Sequence, residues 1–183
     1  MTATLAAGPA PTADRATVLQ RWRTVAGEVS DPEIPVLTLA DLGILLDVTC
    51  GTGAADADTV MVTLTPTYTG CPATAVIAGD VEAALRAAGA EQVRVRTVLS
   101  PAWTTDWISE DGRRKLQEYG IAPPGACRPA GSAPRSIGLT LSVRCPRCGS
   151  GRTREVSRFG STPCKSHWTC QACLEPFDNF KAI

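Results

Sequence analysis

Two cysteine pairs, Cys145 with Cys148 in "CPRCGS" and Cys170 with Cys173 in "TCQAC", constrain this chain more than any other feature. A Cys-x-x-Cys pair wraps one side of a tetrahedral ion, and two pairs close the shell. The 21 residues between the pairs hold two strand-like runs, "TREVSR" and "KSHWT", and "PFDNFK" follows as a third. The pattern predicts a zinc ribbon over 141–183. A unit of about 40 residues cannot build enough core to fold alone, whereas a structural zinc site supplies on the order of 10 kcal/mol. An iron-sulfur cluster on the same four thiolates is the alternative, but closed four-cysteine sites of this spacing are mostly structural zinc. Cys164 and His167, in "CKSH", could each replace a ligand. The four-cysteine set is preferred because Gly149 permits the tight turn after the first pair, while His167 alternates with Trp168 along a strand.

Eight cysteines would also suit a disulfide framework, yet the opening "MTATLAAGPAPTADRA" has neither a basic start nor an apolar run suited to export. The thiols are therefore expected to be reduced, in the cytoplasm. The longest apolar stretch, "VLTLADLGILLDV", is interrupted by Asp41 and falls far short of the ~20 residues that span a bilayer. No membrane role is expected. Lys plus Arg and Asp plus Glu number 18 each, so no global field draws the chain to nucleic acid. The ribbon segment alone has seven basic and three acidic residues, a net of +4, leaving −4 for the remainder. That excess keeps nucleic-acid binding through Arg152, Arg154 and Arg158 as a lesser alternative to a merely solvated face.

Ahead of the ribbon, hydrophobic periodicity outlines a second unit. Residues 1–12 read as a disordered Ala/Pro tail. Val18, Trp22, Val25 and Val29 recur at helical spacing, predicting a helix from about Asp14 to Val29 that "SDPEIPV" ends. Ile44–Cys50 and Val60–Thr65 read as a β-hairpin joined by "GTGAADAD". Val76, Ile77, Val81, Ala84, Leu85 and Ala88 then mark a helix closed by Gly89, and Val93 to Leu99 a strand. Ser109, followed by Glu110 and Asp111, reads as the N-cap of a last helix stopped by Gly120 and Pro123. The α-β-β-α-β-α order over 13–121 predicts a compact α+β domain. "APPGACRPAGSAPRSIG", rich in Pro, Gly and Ala, reads as a linker within 122–140.

The stretch "TPTYTGCPA" sets Cys71 between Gly70 and Pro72. Pro72 suits a first helical turn, which predicts Cys71 as the N-cap of the following helix. There, unsatisfied N–H groups and the helix dipole favour a thiolate, making Cys71 a candidate ligand or nucleophile. A small hydrophobe at a helix start is the equally simple reading. The sole histidine, His167, lies in the ribbon, so Cys-His hydrolase chemistry is not expected. Soft-metal ligation remains, with Thr65, Thr67 and Thr69 as hydroxyl neighbours and Asp31 and Glu33 of "DPEIP" as carboxylates. Asp-Pro followed by Glu is also ordinary turn chemistry.

"DPEIPVLTLADLGIL" followed by "TPTYTGCP" resembles the domain shared by SufT-type proteins and cytosolic iron-sulfur targeting factors. "SPAWTTDWISEDGRRKLQEYGIAPP", "CPRCGS", "FGSTPCK" and "CLEPFDNFK" are similar to the PaaD proteins of phenylacetate degradation in particular. The resemblance implies an iron-sulfur-assembly-type domain followed by a zinc ribbon. It further implies a non-catalytic factor that helps assemble or insert an iron or iron-sulfur centre in the phenylacetyl-CoA ring-epoxidising oxygenase. Its partners would be the reductase or oxygenase subunits, and a homodimer is conceivable. Residue by residue, Cys71 matches the family's Cys-Pro thiol, and Asp31, Glu33, Asp41 and Thr67 match its other motif positions. Cys145, Cys148, Cys170 and Cys173 match the ribbon's structural zinc ligands. Cys164 matches the thiol before the second knuckle, which implies a second functional thiol for transient iron or cluster binding. The alternative is a structural component of the oxygenase complex that docks through the ribbon and the Trp103/Trp107 loop. Cys50 and Cys127 fall in no motif.

Overall fold

The computed structural model describes residues 12–51, 58–125 and 143–182. Helix α1, Thr12–Gly27, buries Trp22 and Ala26 while Val18 stays exposed. It stops two residues before the expected Val29. The chain then turns back through an isolated bridge between Ser30 and Thr38. One helical turn, α2 (Leu39–Leu42), follows inside the long apolar run. Thr38 caps it reciprocally, its Oγ1 accepting from the Asp41 N–H at 3.1 Å while the Asp41 carboxylate accepts from the Thr38 N–H at 2.9 Å. Gly43, at φ 68°, ends it, and a Cβ there would lie 2.6 Å from the Trp107 carbonyl oxygen.

Strands β1 (Leu45–Cys50) and β2 (Thr59–Leu64) pair antiparallel, with a bulge between Leu45 and Asp47. Helix α3 (Ala73–Ala87) crosses over to β3 (Gln92–Thr97), which runs parallel to β2 and gives the sheet order β1-β2-β3. Helices α1 and α3 pack on this sheet and on each other. A short 3₁₀ turn at Thr105–Trp107 leads into α4 (Glu110–Tyr119), which the Ser109 hydroxyl caps by accepting from the Gly112 N–H at 2.9 Å. The α+β class and the order of elements agree with expectation, α2 being the addition.

The composition starts a linker at Ala122, but Ile121–Ala122 instead form a short strand, β4. It runs parallel to β7 (Pro176–Phe180) at one edge of a four-stranded sheet, β4-β7-β6-β5, completed by β6 (Lys165–Cys170) and β5 (Thr153–Ser157). The Asn179 side-chain amide donates to the Ala122 carbonyl at 3.1 Å, and that of Gln117 in α4 donates to the Pro146 carbonyl at 2.8 Å. The ribbon also reaches into the first core. Phe180 is buried with Ile34, Leu42 and Trp103 in one hydrophobic cluster. Burying a phenylalanine contributes roughly 2 kcal/mol. The contact therefore anchors the ribbon to the first domain.

Candidate metal centres

The ribbon brings Cys145, Cys148, Cys170 and Cys173 together so that their sulfurs all lie within 4.8 Å of one another. The Cys145–Cys173 and Cys148–Cys170 sulfur separations are 3.7 and 3.6 Å. A tetrahedral zinc with bonds of about 2.3 Å requires sulfurs about 3.8 Å apart, and a disulfide would hold them near 2.05 Å. The donor set therefore fits zinc. Each knuckle turns through a left-handed residue, Gly149 at φ 71° and Leu174 at φ 65°. Backbone N–H groups of Cys173 and Ala172 donate to the Cys170 sulfur at 3.5 and 3.4 Å and lower its pKa, favouring the thiolate a metal needs. His167 lies apart from the shell, its Nδ1 3.2 Å from the Asp178 carboxylate across β6 and β7.

A second constellation forms where loops of the first domain meet the ribbon. A cavity of about 90 Å³ is lined by Asp31, Glu33, Thr67, Cys71 and Cys164, which come from three stretches far apart in sequence. Apolar walls come from Ile34, Leu42 and Phe180. Asp31 is fixed by its own turn, its Oδ1 accepting from the Glu33 and Ile34 N–H groups, each at 2.8 Å. Gly70, at φ 84°, swings the chain into Cys71. Helix α3 begins at Ala73 with Pro72 as its N-cap, so Cys71, expected at the cap itself, stands one residue before it. Pro72 itself already adopts helical angles, φ −65° and ψ −25°, as a proline at a helix start does.

Cys164 reaches the cavity from the ribbon side. Its carbonyl accepts from the Lys181 N–H at 2.9 Å, and its sulfur lies 3.1 Å from the Thr162 hydroxyl. Burial pushes the thiol's pKa up, with the Thr162 contact only partly offsetting it. Thr162 and Tyr68 also line the cavity, and neither residue type marks itself in sequence as part of a thiol site.

Asp41 is placed elsewhere. Beyond capping α2 it accepts from the Lys115 ammonium at 2.7 Å and the Ser109 hydroxyl at 3.3 Å, tying α2 to α4. Burial opposes its ionisation, but the hydrogen bonds from Lys115 and Thr38 outweigh that and hold its carboxyl below the usual range. The Trp103/Trp107 loop also turns inward. Trp103 is buried, its Nε1 donating to the Leu42 carbonyl at 2.8 Å, and Trp107 is half-buried. Arg152, Arg154 and Arg158 are exposed around β5. Cys50 ends β1 outside both sites, and Cys127 lies outside the described residues. Among the described residues no helix is long and apolar enough to cross a membrane.

Fold and centres together define an iron-sulfur-assembly-type α+β domain joined to a structural zinc ribbon. Family comparison agrees with both halves: residues 23–97 match the model of an iron-sulfur cluster assembly protein, and 130–181 that of the PaaD zinc beta ribbon domain. The chain belongs to the PaaD family of phenylacetyl-CoA epoxidase components. A relative from Escherichia coli (strain K12), provisionally named as the D component of 1,2-phenylacetyl-CoA epoxidase, is 46% identical over 157 residues, spanning 85% of this chain and 88% of the relative. The crystal structure of Domain of Unknown Function DUF59 from Bacillus anthracis shares the fold at a TM-score of 0.51 and 23% identity. It covers 58% of this chain and 97% of its own.

Proposed function

We propose that this protein is a non-catalytic maturation factor of the phenylacetyl-CoA ring-epoxidising multicomponent oxygenase, acting in the cytoplasm to assist assembly or insertion of an iron or iron-sulfur centre. The observation that carries the reading is the convergence of Cys71 and Cys164 on one cavity with Glu33 and Thr67. Thiolates select soft and borderline metals, and two of them in a partly closed apolar pocket can hold an ion without fixing it permanently. Cys71 serves as the transfer ligand and Cys164 as the second functional thiol, with the ribbon zinc purely structural. The reductase or oxygenase subunits of that system are the partners. Membership of a family with an assembly-type domain supports this role.

The test is iron loading of the oxygenase system co-produced with Cys71→Ala. The variant keeps its fold and zinc while the co-produced reductase or oxygenase lacks iron; full iron loading in that background would sink the proposal. A second reading, a structural component of the complex, draws support from the relative's designation as part of the epoxidase. Stoichiometric co-purification unaffected by Cys71→Ala, with full iron in the partners, would favour it.

A further inference from the structure

We infer that the groove beside Phe159 on the ribbon binds an extended acidic segment of a partner protein, an apolar side chain entering the groove while flanking carboxylates meet Arg158 and Lys181. This surface lies in the ribbon and is independent of the metal role proposed above. The groove encloses about 680 Å³, and Val143, Glu155, Arg158, Phe159, Trp168 and Lys181 are among the residues that line it. Sites that bury a bound group span roughly 300–1,000 Å³. Phe159 is 70% exposed, yet its turn is fixed. Its N–H donates to the Ser157 hydroxyl at 3.2 Å, and that hydroxyl donates to the Phe159 carbonyl at 2.8 Å. From beyond the last strand, the Lys181 ammonium donates to the Arg158 carbonyl at 3.3 Å and lies 4.9 Å from the centre of the Phe159 ring. Exposure alone is ordinary for one hydrophobic residue. A fixed aromatic ring beside a groove and two cations is what the centre of an interface presents, and its rigidity lowers the entropy lost on binding.

Charge selects the occupant. Arg152, Arg154 and Arg158 are exposed, and among the described residues no carboxylate pairs with them. Glu155 is the one acid among the groove's lining residues, against Arg158 and Lys181. The ribbon's net charge of +4 surrounds the groove with a field that draws in acidic chains. A second copy of this chain is a poorer match, because three of its surface carboxylates are already taken: Glu82 by Arg86 at 2.6 Å, and Asp111 and Glu118 by Arg114 at 2.6 and 2.8 Å. Residues 126–142, whose neighbours Gly125 and Val143 line the groove, include Arg128 and Arg135 and no acid. A nucleic acid carries a phosphate at every step and would set one against Glu155, whereas a polypeptide can leave that position neutral.

The test uses full-length, zinc-loaded protein and a fluorescein-labelled peptide, Glu-Phe-Glu-Leu-Glu-Leu-Glu, read by fluorescence anisotropy at low ionic strength. The same peptide with Lys in place of every Glu, and an oligothymidylate strand, serve as controls. The expected result is saturable binding of the acidic peptide that weakens as salt rises, the lysine peptide binding at least about tenfold more weakly. Phe159→Ala and Arg158→Glu should each weaken binding roughly tenfold. Arg147→Glu, on the ribbon but not lining the groove, should weaken it by no more than about twofold, and Glu155→Gln should tighten it by about twofold. Circular dichroism and retained zinc establish that each variant is folded. No binding of the acidic peptide, or binding unchanged in both Phe159→Ala and Arg158→Glu, would overturn the inference. Oligothymidylate bound more tightly than the peptide and released by Arg158→Glu would overturn it in favour of nucleic acid. Self-association in sedimentation that Phe159→Ala abolishes would overturn it in favour of a second copy.

Discussion

The ring of Phe180, at the end of the ribbon's last strand, lies 6.1 Å from the ring of Trp103 at an interplanar angle of 53°. Aromatic pairs favour such tilted arrangements, which contribute ~1 kcal/mol beyond burial. The ring pair joins the domain that carries Cys71 to the strand pair that frames Cys164. Phe180→Ala should therefore destabilise the protein by about 3 kcal/mol. Denaturant unfolding measures the loss, and faster alkylation of Cys164 in the variant would report the opened cavity.

Asp41 links one helical turn to α4, and both its cap and its ion pair are lost in Asp41→Ala. The expected cost is about 2 kcal/mol, combining a lost cap with an unpaired Lys115. The pH dependence has a definite sign. The folded-state pKa of Asp41 is below its ordinary 3.8, so its contribution is present above that value and disappears as pH falls through the lowered one. Lys115 is raised above 10.5, so its part is complete below that value and disappears as pH rises through the raised one. Acid unfolding of wild type and Asp41→Asn should converge at the lowest pH.

Leu174 occupies a left-handed conformation at φ 65° with its side chain exposed. A β-carbon costs ~1 kcal/mol there, and glycine removes that cost. Leu174→Gly should be neutral to mildly stabilising, by up to about 1 kcal/mol after the greater freedom of the unfolded glycine is counted. Thermal unfolding of the zinc-loaded protein measures it; a clear loss of stability would show that the side chain has another role.

Cys164 should alkylate slowly at pH 8. Burial raises its pKa, the Thr162 hydroxyl and Lys165 oppose that, and Asp31 adds to it. Its reactivity should rise only above the ordinary thiol value of 9.0. Iodoacetamide labelling across pH 7–10, followed by mass spectrometry, measures this; labelling complete at neutral pH would contradict the burial.

Zinc removal should disturb more than the ribbon. Cys170 ends strand β6 and Cys164 immediately precedes it, so freeing the metal end loosens the cavity end. Strong chelation should speed Cys164 labelling, and zinc readdition should restore protection.

What sequence revealed was governed by distance along the chain. Two Cys-x-x-Cys pairs are local patterns, so the zinc shell was legible, as were the β1–β2 hairpin and the apolar stripe of α3. Helix α2 was hidden because its start signal, Thr38 with Asp41, sits inside a continuous apolar run. Strand β4 was hidden because its partner Asn179 lies 57 residues away and two residues carry no periodicity. Family resemblance named Asp31, Glu33, Asp41, Thr67, Cys71 and Cys164 alike. Only tertiary structure separates those that line the cavity from Asp41, and only it turns Trp103 inward.

Strand β4 also decides where the chain can be divided. Gly125 and Val143, which flank the proline-rich stretch, line one depression on the ribbon. A protease cut in that stretch therefore severs no boundary between modules: it leaves the strand Ile121–Ala122 on the first fragment and its partner β7 on the second. The two pieces should stay together after nicking, held by zipped strands and a shared aromatic core, and a ribbon produced without residues 121–122 would present a naked strand edge to its neighbours.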